Sequence, residues 1–136
     1  MPETSRWLRR SPHDVARTLD RLEQAVLRHG GVVRFARIDH AAIARSAGGT
    51  SRAAETLQME NPALVARLLS IDPALAWSLP IKLLAWEDST GQVWLRITEP
   101  AAIAAEGMPA SPPVQEIIRT IEEILGGWVD EAVGAA

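Results

Sequence analysis

Asp39 and His40 stand side by side, with Arg37 two residues earlier, and form the first grouping in this chain that could do chemistry. An imidazole titrates near neutral pH, so His40 could act as a general base, a metal ligand or a haem ligand. Asp39 or Arg37 would then support it. The plainer alternative is that Asp39 caps a helix and His40 packs beside it, since a histidine without a visible partner is weak evidence for a site. The other two histidines, His13 and His29, sit at opposite ends of one expected helix, about 24 Å apart at 1.5 Å per residue, too far to share a metal. His29 at a helix C-terminus reads as a partner for the helix dipole. The chain has no cysteine, so no metal site and no thiol chemistry are expected. Glu87, Asp88 and Glu99 fall at a turn and a helix start, where solvation or capping explains them. The glycine pairs 30–31, 48–49 and 126–127 follow helices and read as stops, not as phosphate cradles.

The tryptophans are the second grouping. Five of them accompany one phenylalanine and no tyrosine. Trp86 and Trp94 fall on the two arms of an expected hairpin, and Trp77 precedes it. By alternation Trp94 shares a face with Arg96 and Thr98, opposite Val93, Leu95 and Ile97. If the latter face is core, Trp94 points away from it, which favours a dimer face or a ligand pocket. The candidate ligand-binding residues are therefore Arg37, Asp39, His40, Trp77 and Trp94.

These residues need elements to hold them. Residues 7–10 read as a short strand. Ser11-Pro12 reads as a cap with proline at the first helical position, opening a helix over residues 12–29 with an apolar stripe at Val15, Leu19, Leu22 and Val26. Residues 32–38 are β-branched and aromatic enough for a strand that runs into a short helix at Asp39. Leu57 and Met59 alternate with polar neighbours, as in a strand with one wet face. Asn61-Pro62 opens the next amphipathic helix, and residues 73–80 read as an irregular stretch. Residues 81–87 and 93–97 form the clearest hairpin. A short helix follows Glu99-Pro100. After a proline-containing linker, a last amphipathic helix runs from Val114 to a stop at Gly126-Gly127, with a frayed tail after Trp128.

The order β-α-β-α-β-α-β-β-α-α predicts an α+β (mixed α/β) domain: a single mixed sheet of about five strands with helices packed on it. The first strand, helix and second strand could form a right-handed parallel crossover. At 136 residues the chain fits one domain. Residues 1–10 lack the apolar run of a secretory signal. No stretch approaches the roughly 18 apolar residues of a membrane span. A cytoplasmic location and no membrane partner are expected. Residues 1–52 carry ten arginines against five acids, and residues 53–136 carry four Lys or Arg against twelve acids. Without interleaved aromatics, and with a net charge of −3, this asymmetry does not point to nucleic acid. Opposite-sign patches that meet in an oligomer explain it better.

Three segments carry a resemblance. They are the helix from Asp14 to Gly30; Phe35-Ala36-Arg37-Ile38-Asp39-His40-Ala41-Ala42; and Leu79-Pro80-Ile81-Lys82-Leu83-Leu84-Ala85-Trp86-Glu87-Asp88 with Gly91-Gln92-Val93-Trp94-Leu95 and Glu99-Pro100. Together they resemble the domain-of-unknown-function family 302 of small bacterial proteins, over about residues 5–107. The resemblance implies a compact α/β-type domain that often packs as a homodimer, and it brings no established activity. The chain departs from the family pattern at Asn61-Pro62-Ala63, where a glycine-containing loop is usual, and at Ser78, where an aspartate is usual. Residues 1–107 are expected to form the domain of this type, with residues 108–136 as a C-terminal helix extension of it. The expected role is a homodimeric, non-enzymatic binding module for a small apolar or planar ligand. The alternatives are a small enzyme using His40, or a subunit that binds a partner through its last helix. No cofactor is specified.

Overall fold

In the computed structural model, which describes residues 4–29, 34–105 and 111–135, helix α1 (Val15–Arg28) starts at Asp14. The Asp14 carboxylate accepts from the Arg17 amide at 2.7 Å, satisfying one of the free N–H groups at a helix start. Ser11, the expected cap, instead ends strand β1 (Leu8–Ser11). Its hydroxyl accepts from the His13 amide and shares a 2.7 Å hydrogen bond with the buried Thr18 hydroxyl. The chain then runs through β2 (Arg34–Asp39), α2 (His40–Ser46), β3 (Ala54–Glu60) and α3 (Pro62–Ile71). The expected irregular stretch is a 3-10 turn, Pro73–Ser78. It is followed by β4 (Ile81–Glu87), β5 (Val93–Ile97), α4 (Ala102–Ala105) and α5 (Pro112–Ala132). The glycine stop at 30–31 and the linker residues 108–110 lie outside the described residues.

The five strands form one sheet in the order β1-β5-β4-β3-β2, and every pairing in it is antiparallel. The expected class, strand number and packed helices are all present. The parallel component of the expected mixed sheet is not. Strands β1 and β2 point the same way but occupy opposite edges, so α1 crosses beneath the whole sheet instead of joining neighbours. The edge at β1 is folded over by a tight turn. Leu8 exchanges backbone hydrogen bonds with Ser5 at 3.0 and 3.3 Å.

One face of the sheet is apolar. Leu57, Met59, Leu83, Ala85, Val93, Leu95 and Ile97 are all buried there. The predicted stripe of α1 (Val15, Leu19, Leu22, Val26) is buried against them. Helix α5 lies alongside α1 and supplies Val114, Ile117, Ile118, Ile121 and Leu125 to the same core. Each such side chain contributes roughly 1.5–3 kcal/mol by leaving water.

The expected stop at Gly126-Gly127 is wrong. Helix α5 continues to Ala132, and Trp128, Val129 and Ala132 are buried instead of frayed. Polar clamps hold this last turn. Arg21 donates to the carbonyls of Glu131 and Ala132 at 2.8 and 3.1 Å, and the His13 ring meets the Gly134 carbonyl at 2.7 Å. Arg9 pairs with Asp130 at 2.6 Å. Gly126 persists for a different reason: the Arg6 guanidinium lies where a Cβ would project, and it donates to the Glu122 carbonyl. Nothing lies within 4 Å of a Cβ placed on Gly127.

The two glycines should therefore respond differently to alanine. Gly127→Ala is expected to stabilise the fold by about 0.5–1 kcal/mol through helix propensity. Gly126→Ala gains the same propensity but displaces Arg6 from its carbonyl, a loss of about 1 kcal/mol, so its net effect is near zero. Urea midpoints of the two variants measure the difference; equal midpoints would reject the Arg6 explanation.

Candidate functional site

The strand-to-helix junction forms as expected, but its three candidate residues diverge. Asp39 is the N-cap of α2, its carboxylate accepting from the Ala42 amide at 2.9 Å. The adjacent His40 turns its ring to Thr56 on β3, with Nε2 2.8 Å from the hydroxyl. Thr56 points to the face of the sheet opposite the core. Arg37, paired in register with the core residue Leu57, points the other way, toward α1. Its guanidinium donates to Glu55 at 2.6 Å, Asp20 at 2.7 Å, Glu23 at 3.3 Å and the Ala16 carbonyl at 3.1 Å. Burial works against the Arg37 charge, but its hydrogen bonds to the Glu55 and Asp20 carboxylates, with their negative charges, outweigh it and raise its pKa further above the ordinary arginine value. Arg37 thus fastens β2 to α1 and β3. It does not assemble with His40, and no group of three or more acids and histidines among the described residues is placed to hold a metal.

The tryptophans also separate. Trp94 lies on the outer face, as alternation predicts, yet it is only 1% exposed. Trp86 stacks beside it with ring centroids 6.4 Å apart, and the Arg10 guanidinium lies over its ring at 5.4 Å. Its indole N–H donates to Asp88 at 2.8 Å. Asp88 also accepts from the Thr90 hydroxyl and amide and from the Gln92 amide, which shapes the β4–β5 turn. The expectation of a reachable Trp94 ring overlooks these neighbours, which cover it from its own hairpin and from β1. Trp77 is the opposite case, 80% exposed on the 3-10 turn.

The best-formed apolar concavity holds none of these residues. It lies at the seam of α3, the start of β4 and α5, and is lined by Met59, Leu64, Leu68, Ile81, Ile121 and Trp128 among others. Its free volume is about 40 Å³, above the roughly 10–15 Å³ one water needs. Asn61, Ile124 and Trp128 are shared with a wider, shallower depression of about 490 Å³ that also includes His29, Glu123 and Glu131. Asn61 is fixed at the rim because its side-chain oxygen caps α3, accepting from the Ala63 and Leu64 amides. The sequence held a signal for this crevice. Ile121, Ile124, Leu125 and Trp128 continue a helical spacing of three and four straight through the glycine pair.

Hydrogen bonds from the Thr90 hydroxyl and the Trp94 indole hold the Asp88 carboxyl well below the ordinary carboxylate range. A lowered folded-state pKa contributes stability above the unfolded value, near ~3.9, and that stability is lost as pH falls through the lowered one. Asp88→Asn removes the titration. Its destabilisation relative to the native chain should be largest at neutral pH and shrink below about pH 4. Melting curves from pH 7 to pH 2 measure it; a gap that stays constant would show that the charge of Asp88 is immaterial.

Comparison with known proteins is consistent with this geometry. A domain in a crystal structure described as an uncharacterized conserved protein DUF302 from Bacillus stearothermophilus superposes with a TM-score of 0.78 over 93% of this chain and 96% of that one, at 22% identity. That likeness shows a shared fold. Two relatives named fluoride-specific ion channel FluC 1, from Brucella suis and Brucella abortus, are each 37% identical over 94 residues. That stretch is 69% of this chain but only 37% and 34% of theirs, so the chain matches about a third of their length. Among the described residues no helix is long and apolar enough to cross a membrane. The family described as domain of unknown function DUF302 matches residues 8–131, which takes in α5 as well as the sheet, and the chain belongs to that family.

Proposed function

We propose that this domain is a non-enzymatic, homodimeric binding module, and that its ligand is a small apolar or planar molecule seated between α3 and α5. The observation that carries this is the crevice itself: an apolar pocket adjoining a wider depression that adds His29, Glu123 and Glu131, with one fixed carboxamide, Asn61, in the shared wall. Small-molecule sites have this composition, mostly apolar walls with a few placed polar groups. Helix α3 fully buries only Leu68, so it is the wall with the least to lose by moving outward to admit a ring. The enzymatic alternative gains no support, because Arg37 and His40 face opposite sides of the sheet.

The proposed dimer contact is Trp77. An indole 80% exposed on a turn is the kind of aromatic anchor that dominates protein interfaces. A second role is favoured by the relatives from Brucella: a domain accompanying a membrane channel. Under it, removing the matched segment from the Brucella suis relative changes fluoride flux through reconstituted vesicles, and unchanged flux would remove it.

Two measurements test the main proposal. Indole, at ten times its dissociation constant, should raise the melting temperature by about 5 °C. Leu68→Trp, which fills the crevice, should abolish that rise while remaining folded. An equal rise in both proteins, or none in either, rejects the crevice as a ligand site. Sedimentation equilibrium should show a dimer that Trp77→Ala weakens at least tenfold, about 1.4 kcal/mol or more; a native chain that is monomeric at 100 times micromolar concentrations, or a variant that dimerises as well, rejects the Trp77 contact.

A further inference from the structure

The outer face of the sheet carries a second concavity, separate from the crevice and on the opposite side of the sheet. It is an open trough of about 740 Å³ over β1, β5 and β4, within the size range of small-molecule sites. Leu8 and Leu84 are its apolar residues on the outer face, flanking Arg96 in register. Two cations line it as well, Lys82 and Arg96. The register fixes their relation. Leu84 pairs with Arg96, and Lys82 lies two residues before Leu84 on the same face. They are therefore diagonal neighbours, with backbones about 7–8 Å apart.

Like charges on one sheet face repel, less at a diagonal than when directly opposite, and an anion between them would relieve that repulsion. Arg10, the next cation along the same diagonal, lies over the Trp94 ring. Lys82 and Arg96 have no such arrangement, and neither forms an ion pair with an acid among the described residues. One carboxylate, Glu99, also lines the trough and forms an ion pair with neither. Two cations without an ion-pair partner, beside apolar side chains, match a ligand with one anionic end and one apolar end. We propose that the trough binds an amphipathic carboxylate of the fatty-acid class, its head between Lys82 and Arg96 and its chain along Leu8 and Leu84.

Decanoate is the probe, titrated calorimetrically below its micellar concentration, with decanol and phosphatidylglycerol vesicles in parallel. The expected result is one decanoate per chain, bound at least tenfold more tightly than decanol. The doubly substituted Lys82→Gln, Arg96→Gln chain should lose that tenfold preference while keeping its melting temperature, since both side chains are exposed. The Leu68→Trp chain should bind decanoate unchanged, which separates this trough from the crevice. The proposal is overturned by decanoate binding that survives the double substitution, by binding lost in Leu68→Trp, by no preference over decanol, or by capture on vesicles without binding of free decanoate.

Discussion

A sheet with one apolar face has to be covered, and everything else in this domain follows from how that is done. The strands present Leu57, Leu83, Leu95 and their neighbours on one side only. Helix α1 has fourteen residues, about 21 Å at 1.5 Å per residue and long enough to cross the sheet, but at about 10–12 Å across it cannot cover the length of seven-residue strands, about 23 Å. Helix α5, with twenty-one residues, supplies the rest. Its position beside α1 is fixed by burial along its length and by side chains of α1 and β1 that seize its last turn. The C-terminal helix is thus part of the core, and the crevice exists because α3 leans on α5 from the side without closing fully over it.

The same constraint separates the two faces chemically. Arg37 lies at the margin of the covered face, where three carboxylates and a helix carbonyl surround it. Its role is mechanical: it ties an edge strand to the roof. His40, one residue past the capping Asp39, falls on the other side and meets a threonine. Arg37 projects to the core face of β2 by strand alternation, whereas His40 is the first residue of α2 and its ring turns to Thr56 on the other face. Their nearness in sequence suggested a cluster that does not form.

Much of the architecture was legible in the residues. The stripe of α1, the Asn61-Pro62 start of α3 and the β4–β5 hairpin all appear where periodicity and turn chemistry place them. What escaped was set by distant contacts. Whether β1 and β2 are neighbours depends on which edges their partners leave open, and nothing local to either strand records that. The glycine pair in α5 looked like a stop because the Arg6 guanidinium, far away in sequence, occupies the space beside Gly126. Trp94 was placed on the correct face, but its burial depends on Arg10 and Trp86 covering it. The crevice was missed for the same reason: its walls come from β3, α3, β4 and α5, and only the α5 part has a spacing visible in one segment.

An open sheet leaves two strands with outward-facing backbone groups, and these are what foreign strands add to when proteins aggregate. Here one of them is only four residues long, and its outward N–H and C=O at Leu8 are already taken by Ser5 in the tight turn that precedes it. Arg9 and Arg10 flank that position with charge. The other margin, β2, runs directly into the capped helix α2 and is pinned by Arg37. The chain has thus paired part of one sheet margin with itself, leaving fewer free backbone groups there for a second copy to extend.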